Sequence, residues 1–142
     1  MKLIDIEPGD PRLAGDVLSV LRELRPELTA QSLHDIYTEG YPQGYRFTAA
    51  FDPDGRCVGV AGWRIIATTV AGRKLYIDDL VTTESARGLG VGKALLAELT
   101  QRARAAGCTI LDLDSGTFRK DAHRFYMRER LTISAFHFQL PL

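Results

Sequence analysis

Arg87-Gly88-Leu89-Gly90-Val91-Gly92 is the stretch of this sequence on which the fold depends. It follows a strand-like apolar segment, Lys74 to Val81, and it precedes a segment with helical spacing, Val91 to Ala106. The glycines leave the main chain bare where the helix begins. The first amides of a helix have no internal partner, and the helix dipole makes that end positive. The stretch therefore predicts a site for an anion such as a pyrophosphate, with Arg87 beside it.

Spacing excludes the two most familiar phosphate-binding loops. A P-loop requires a Gly-Lys pair followed by Ser or Thr, and neither residue follows Gly92-Lys93. A dinucleotide-binding loop requires a glycine three residues after its second glycine, and those positions hold Lys93 and Leu95. Two interpretations remain: a tight turn that only begins a helix, or a phosphate cradle with the pattern Arg-x-x-Gly-x-Gly at Arg87, Gly90 and Gly92.

Composition narrows the range of functions. A length of 142 residues suits one domain. Lys plus Arg and Asp plus Glu both number 18, so we expect no nucleic-acid partner and no membrane partner. Cys57 and Cys108 lie in apolar stretches without metal-ligand spacing, which predicts buried thiols and no metal. Met1 to Glu7 resembles neither a signal peptide nor a membrane span, and a cytoplasmic location is expected.

Strand and helix signals alternate along the rest of the chain. We predict strands over Leu3–Ile6, Arg46–Phe51, Cys57–Thr69, Arg73–Thr83, Thr109–Asp114 and Thr132–Leu140. We predict helices over Pro11–Arg25 (with Asp10 as its cap), after the cap Thr29, and over Val91–Ala106 (with Gly107 as its stop) and Arg119–Arg130. The second to fourth strands form an antiparallel meander, and a parallel crossover leads to the fifth. This order predicts an α/β (α+β) fold with a mixed, mostly antiparallel, six-stranded twisted sheet flanked by about four helices.

The glycine stretch has a known counterpart. Arg87, Gly90 and Gly92, placed after a strand and at the start of a helix, resemble the acyl-CoA loop of the GNAT superfamily of N-acetyltransferases. Ala122-His123-Arg124-Phe125-Tyr126 resembles the Ala-x-x-(aromatic or Leu)-Tyr motif of a later helix in that family. The order of elements also matches, so the resemblance covers most of the chain. It implies a GNAT-like fold and a single acetyltransferase domain over residues 1–142.

The resemblance also implies where acetyl-CoA, as cosubstrate, would bind. The main-chain amides from Leu89 to Lys93 would hold its pyrophosphate, and Tyr126 would lie near the sulfur as general acid. The strand before the loop would contact the pantetheine arm and polarise the thioester carbonyl. Arg119 stands where many relatives have an Asn that touches the pantetheine, and Glu129 to Thr132 lacks their Gly-Phe pair. The implied coenzyme-binding residues are Leu80, Val81, Thr82, Arg87, Gly88, Leu89, Gly90, Val91, Gly92, Lys93 and Arg119.

Two carboxylates, Asp78 and Asp79, interrupt the apolar strand before the loop, where a buried carboxylate is costly unless it is paired. Amine acetylation requires the acceptor ammonium to lose a proton, and it requires no covalent enzyme intermediate. Either aspartate could bind and deprotonate an amine, or one could pair with an arginine such as Arg64 and only shape the sheet. Adjacent residues of a regular strand face opposite sides, so only one would reach a given cavity unless a bulge intervenes.

Aromatic residues leave further alternatives open. Tyr126 is either the general acid or a core side chain of an amphipathic helix. Tyr37, Glu39, Tyr41 and Tyr45 crowd the loop after the second helix, where they either shape the acceptor site, as in relatives, or cover the sheet edge.

The leading hypothesis is an acetyl-CoA-dependent N-acetyltransferase that acts by direct attack of a primary amine. The acceptor is expected to be small and cationic because acidic residues mark the predicted site, although a protein amine stays open. The alternative is a non-catalytic acyl-CoA-binding sensor or partner module, which would keep the glycine loop and tolerate loss of Tyr126 and the aspartates. Phe136 and Phe138 on the last predicted strand suggest a homodimer through that edge.

Overall fold

The computed structural model describes all 142 residues, which form five strands and four α-helices. The strands are β1 (Lys2–Ile6), β2 (Arg46–Phe51), β3 (Cys57–Ile66), β4 (Lys74–Thr82) and β5 (Ile110–Leu113). The helices are α1 (Leu18–Leu24), α2 (Ala30–Gly40), α3 (Val91–Ala105) and α4 (Lys120–Arg128). A π-helical turn (Leu13–Val17) leads into α1, and 3-10 turns occupy Tyr41–Gln43 and Glu84–Ala86. The predicted mixed α/β class is confirmed.

The sheet has the strand order β1-β2-β3-β4-β5. The first four strands are antiparallel to their neighbours, and Ala49 of β2 lies opposite Ile4 on one side and Val60 on the other. The predicted meander is therefore confirmed. The beginning of β5 meets the beginning of β4, where the Thr109 N–H donates to the Arg73 carbonyl at 2.9 Å, as a parallel crossover through α3 requires.

The sixth predicted strand, Thr132–Leu140, is wrong. Residues 131–142 form neither a helix nor a strand, and the side chains of Phe136 and Phe138 are 85% and 90% exposed. Alternation of apolar and polar residues shows which side of a strand would be buried. A strand forms only where another strand completes its hydrogen-bond ladder, and alternation says nothing about that partner.

Two layers of helix cover the sheet. On one face, Leu21 of α1 and Leu33 of α2 pack with Phe47 and Val60 in the main apolar core. The neighbouring position, Gly59, faces α3 instead, because adjacent strand residues point to opposite sides. The α3 residues that this second layer buries most fully are Leu95 and Leu99.

Local capping explains where the helices begin and end. At the start of α2, Thr29 Oγ1 accepts the Ser32 N–H at 3.0 Å and Ser32 Oγ accepts the Thr29 N–H at 2.8 Å, a capping box that confirms the predicted cap. The first predicted helix is shorter than expected, because a π-helical turn occupies its first part. Its start is held by Asp10, whose carboxylate accepts the Arg12 N–H at 2.9 Å.

The chain divides into two compact units, residues 1–112 and residues 113–142. The first unit holds β1 to β4, the first three helices and most of β5, and the second holds α4 and the residues after it. A single acetyltransferase domain over residues 1–142 stays a prediction. None of the helices is both long enough and apolar enough to cross a membrane.

Candidate active site

The glycine stretch forms an open turn directly before α3. Gly88 and Gly90 have φ angles of 78° and 82°, a conformation that costs other residues about 1 kcal/mol or more. No side chain caps α3, and the Ala94 N–H makes the first helical bond, to the Gly90 carbonyl at 3.0 Å. The amides of Val91, Gly92 and Lys93 precede that bond and have no acceptor within the helix. Their arrangement fits an anion such as a pyrophosphate.

The turn is anchored on both sides. Leu89, one of the five predicted donors, gives its N–H to the Ala86 carbonyl at 3.4 Å, so its amide already has a partner. Arg87 is exposed, and its Nε donates to the Thr82 carbonyl at 3.5 Å. From α1, the Glu23 carboxylate accepts the Glu84 N–H at 2.9 Å, which ties the chain before the turn to that helix.

A β-bulge lies at the acidic pair of β4. Gly62 of β3 is opposite Asp79, whereas the next residue, Trp63, is opposite Ile77. Asp78 is therefore the extra residue on β4, and the strict alternation of sides is broken at this point. The bulge is the exception that the sequence analysis left open.

Asp79 is buried, with 7% of its surface exposed, and its carboxylate is fully engaged. Oδ2 accepts the hydroxyl of Tyr45, and Oδ1 accepts Arg25 Nε at 3.3 Å and Arg25 Nη2 at 3.2 Å. A Cβ at Gly62 would overlap the carboxylate and would lie 2.9 Å from the Tyr45 hydroxyl, so this approach requires glycine.

Burial determines the proton affinity of these groups. It raises the pKa of the Asp79 carboxyl, although the Tyr45 hydroxyl and Arg25 oppose the shift. Burial and the neighbouring charge of Asp79 raise the pKa of Tyr45, which keeps its hydroxyl protonated as a donor. A buried carboxylate with an increased affinity for protons is suited to accept one from a substrate.

Asp78 is paired with Arg64, the alternative named from the sequence. Arg64 Nε donates to Asp78 Oδ2 at 3.0 Å, and Nη2 donates to Oδ1 at 2.5 Å. The Arg64 guanidinium lies 5.9 Å from the centre of the Tyr45 ring, so this ion pair borders the same site as Asp79. Whether either aspartate acts on an acceptor stays a prediction.

A cavity of about 310 Å³ opens beside Asp79 within the first unit. Its polar groups are carried by Asp79, Tyr45 and Arg25, with Glu27 and Ser32 also in its lining. The remaining lining is apolar and comes from α1, α2, the loop between them and β2: Leu21, Leu28, Leu33, Ile36 and Phe47. An apolar cavity with a few converging polar groups is the usual form of a small-molecule site.

The aromatic residues after α2 take different roles. Tyr37 is fully buried, and its hydroxyl donates to the Ile6 carbonyl at 2.6 Å and accepts the Phe47 N–H at 3.2 Å. Burial raises the pKa of Tyr37 to about 12. Tyr45 is the member of this group that lines the cavity. From the sequence alone, both interpretations applied to the whole group. In the structure, Tyr37 belongs to the core and Tyr45 lines the cavity.

In the second unit, Tyr126 lies on α4 with its ring centre 5.5 Å from that of Phe125. Burial raises the pKa of Tyr126, against the effect of the nearby Arg119, so its phenol stays protonated at neutral pH. Arg119 immediately precedes α4, and its carbonyl accepts the His123 N–H at 3.1 Å. Their roles toward a coenzyme stay predictions.

The thiol of Cys57 does not suit a covalent mechanism. Cys57 and Cys108 are free and half-buried, less enclosed than expected. Burial raises the pKa of Cys57 to about 11, so little of the reactive thiolate is present at neutral pH. No cluster of three or more His, Cys, Asp or Glu side chains is arranged to hold a metal ion.

Arg25 is the main residue that the sequence analysis missed. It lies 54 positions from Asp79 in the chain, and nothing in the residues around it signals an ion pair. The next residue, Pro26, indicates only that the helix ends there. Only the packing of α1 against β4 brings the two together.

The family model described as the acetyltransferase (GNAT) family matches residues 16–130. This range includes the glycine turn, both aspartates, Arg25 and Tyr126.

Several curated proteins share part of the sequence. The chain is 46% identical over 72 residues to the uncharacterized N-acetyltransferase YhdJ of Bacillus subtilis, covering 50% of this chain and 51% of that protein. It is 42% identical over 66 residues to the aminoalkylphosphonate N-acetyltransferase of Salmonella typhimurium, covering 46% and 43%. It is 43% identical over 65 residues to the glucosamine 6-phosphate N-acetyltransferase of Trypanosoma brucei brucei, covering 44% of each. The chain thus spans about half the length of the curated relatives it matches.

Solved structures match over the whole chain. A Trypanosoma brucei acetyltransferase has a TM-score of 0.79 with 28% identity and 99% coverage of both chains. A protein of Agrobacterium tumefaciens strain C58 has a TM-score of 0.83 with 25% identity and full coverage of both chains. The ribosomal-protein-alanine N-acetyltransferase of Brucella melitensis has a TM-score of 0.83 at 16% identity, a likeness of fold alone.

Proposed function

Because the chain belongs to the acetyltransferase (GNAT) family, we propose that it transfers an acetyl group from acetyl-CoA to a small primary amine. The observation that carries the proposal is the buried carboxylate of Asp79 at a small cavity, on the strand that leads into the open glycine turn. Acetyl-CoA supplies the acyl group as a thioester. The amine attacks it directly, without an acyl-enzyme.

The glycine turn would bind the coenzyme. The amides of Val91, Gly92 and Lys93 have no acceptor within α3, and a pyrophosphate would supply one at the positive end of that helix. Arg87 is exposed at the entrance of the turn and adds a positive charge. Leu80, Val81 and Thr82 end β4 just before the turn, where their main chain would contact the pantetheine arm and the thioester carbonyl.

Asp79 would act as the general base. The amine enters as an ammonium ion, whose pKa in water is about 10, and must lose a proton before it can attack. The raised pKa of Asp79 makes its carboxylate a better acceptor for that proton than an exposed aspartate. One proton of the ammonium goes to Asp79 before the attack. The new C–N bond then forms as the C–S bond breaks, and the second proton that the nitrogen loses goes to water.

Tyr126 would act as the general acid. Its phenol is protonated at neutral pH and would give its proton to the leaving thiolate, directly or through water. We expect Tyr126→Phe to lower kcat by about 100-fold and to leave acetyl-CoA affinity unchanged. Tyr41→Phe removes a hydroxyl at a residue outside this machinery and is the control. An unchanged kcat in the Tyr126 variant would remove this role.

The proposed acceptor is a small molecule whose reacting amine carries a positive charge. The cavity of about 310 Å³ admits only a small molecule or the tip of a larger one. Two relatives that match about half of the chain are named for aminoalkylphosphonate and glucosamine 6-phosphate, which are small primary amines. These names support a small-molecule acceptor over a protein amine.

A thiol-release assay over a panel of amines tests the proposal, with acetyl-CoA binding measured by calorimetry on the same protein. Amine-dependent release of CoA is the expected result. Tight binding with no release for any amine would contradict the proposal and favour the acyl-CoA-binding sensor. Absence of both binding and release would contradict both functions.

A further inference from the structure

We propose that the acceptor is a primary amine with an acidic group on a neighbouring carbon, and that Arg25 binds this acidic group. The inference rests on the proposed function and narrows its substrate class. It assigns Arg25 the role of a specificity-determining residue, since the guanidinium would contact the substrate without taking part in bond making.

The position of the Arg25 side chain is set by bonds on one side only. Nε and Nη2 donate to Asp79 Oδ1 at 3.3 and 3.2 Å, and Nη2 also donates to the Asp78 carbonyl at 3.1 Å. Nη1 takes part in none of these bonds. The side chain is 53% exposed and lines the cavity, so a guanidinium held in place presents its Nη1 as the donor for a substrate molecule.

The main chain around Arg25 is also held. The Arg25 N–H donates to the Leu21 carbonyl at 2.8 Å, and the Arg25 carbonyl accepts the Leu28 N–H at 3.1 Å. The capping box of Thr29 and Ser32 follows immediately and begins α2. A side chain on such a short, bonded connection needs little ordering when a substrate binds, which favours selective recognition.

The charges that line the cavity favour a substrate that carries both a positive and a negative group. Asp79 and Arg25 present a carboxylate and a guanidinium side by side, so their charges offset each other. An amine without an acidic group would place a positive charge beside Arg25 with nothing to balance it. In a molecule with both groups, the ammonium would lie near Asp79 and the acidic group near Arg25. The guanidinium is a good donor to carboxylate and phosphonate oxygens. Glu27 also lines the cavity but is exposed, where solvent screens its charge.

The rest of the acceptor must suit an apolar surface. Leu28, Leu33 and Ile36 line the same cavity as the ion pair, and they offer no hydrogen-bonding side chain to the body of the molecule. An aliphatic group is the complement of such a wall. The substrate class is therefore a small α-amino acid, or its phosphonate equivalent, with an apolar side chain.

Three matched amines test the inference: leucine, its phosphonate analogue 1-amino-3-methylbutylphosphonate, and 3-methylbutylamine, which lacks the acidic group. We expect kcat/KM in the thiol-release assay to be about 10- to 100-fold higher for at least one acidic amine than for 3-methylbutylamine. The first two amines distinguish carboxylate from phosphonate. Arg25→Gln should bring the ratio close to one, and Arg25→Lys should restore part of it.

Arg22→Gln is the matched control, because Arg22 is an exposed arginine on α1 that does not line the cavity. A loss in Arg25→Gln that is equal for all three amines would mean that Arg25 only supports Asp79, and would contradict the inference. Equal use of leucine, the phosphonate and 3-methylbutylamine by the unaltered protein would also contradict it, while leaving the proposed function intact.

Inhibition of the unaltered protein gives a second measurement that does not depend on a variant that folds. 4-Methylpentanoate has the acidic group and the apolar body but no amine. We expect it to compete with the amine substrate, and its neutral amide to inhibit at least 10-fold more weakly. Equal inhibition by the acid and the amide would overturn the role of Arg25.

Discussion

The glycine turn before α3 and the cavity beside Asp79 are built in opposite ways. The turn occupies one short stretch, Gly88 to Lys93, and it offers amides that have no partner within the helix. The cavity draws on α1, α2, β2 and β4, and its central carboxylate is already engaged by Tyr45, 34 positions away, and by Arg25, 54 positions away. The turn is a local structure whose amides lack acceptors within the helix. The cavity is formed by long-range contacts, and its carboxylate already accepts hydrogen bonds.

This difference matches what each region would recognise under the proposed function. Every acetyl-CoA molecule carries the same pyrophosphate, so main-chain amides and a few glycines are sufficient to bind it. Acceptor amines differ, and discrimination among them requires side chains placed by several elements. The region proposed to bind the shared partner can therefore be recognised in the sequence, whereas the region proposed to select the acceptor cannot.

The largest expected effect comes from placing a negative charge in the turn. Gly90→Asp should weaken acetyl-CoA binding by more than 100-fold, because the carboxylate would repel the pyrophosphate at the end of α3. Titration calorimetry measures this affinity. Gly72→Asp is the control, since Gly72 has a similar φ of 73°, equally open surroundings and a place in a different turn. An affinity within threefold of the unaltered protein would show that the turn does not hold the phosphates.

The second prediction removes the charge from the cavity and leaves the turn intact. Asp79→Asn should lower kcat/KM by about 100-fold with no change in acetyl-CoA affinity, because the amine loses its base. In the unaltered protein, kcat/KM should rise with pH through the raised pKa of Asp79, and the variant should lack that rise. A variant that keeps the full pH profile would exclude Asp79 as the base.

The same carboxyl predicts a pH effect on stability. Its pKa is raised in the folded protein, so between the ordinary value of 3.8 and the raised value the folded state binds more protons than the unfolded state. The free energy of unfolding, measured against Asp79→Asn in urea, should therefore fall as pH rises through this range. A difference that grows with pH would mean that pairing with Arg25 and Tyr45 outweighs burial.

The smallest expected effect concerns a local structure outside both regions. At the end of α4, Arg130 has a φ of 69°, and the Leu131 N–H donates to the Tyr126 carbonyl at 2.9 Å. Gly107 ends α3 with the same kind of turn and a φ of 76°. Arg130→Gly should raise the free energy of unfolding by about 0.5–1 kcal/mol, because glycine relieves the left-handed strain.

Urea unfolding checks this change, and Gly107→Ala is the mirror variant, expected to lower stability by about 1 kcal/mol. A fall in stability for Arg130→Gly would show that the Arg130 side chain makes a contribution larger than its backbone strain. The end of α4 would then resemble the cavity in one respect: its stability would depend on contacts that local rules do not predict.

Local rules account for much of the fold. The spacing of apolar residues predicts β1 to β5 and all four helices, Thr29 predicts the start of α2, and Gly107 predicts the end of α3. The same rules fail for Thr132–Leu140, where the alternation is present but no ladder forms. Periodicity describes the side chains of one segment, whereas a strand also depends on its neighbour.

The class of fold, the open turn before α3 and membership of the acetyltransferase (GNAT) family can all be read from the sequence, because each follows from residues a few positions apart. Three features depend on the tertiary structure: the bulge that interrupts the alternation of sides at Asp78, the position of Tyr45 rather than its aromatic neighbours at the cavity, and the pairing of Arg25 with Asp79. These features depend on strand register and on the packing of α1 against β4. Residues that lie tens of positions apart carry no local signal of such contacts, because burial and charge act through space.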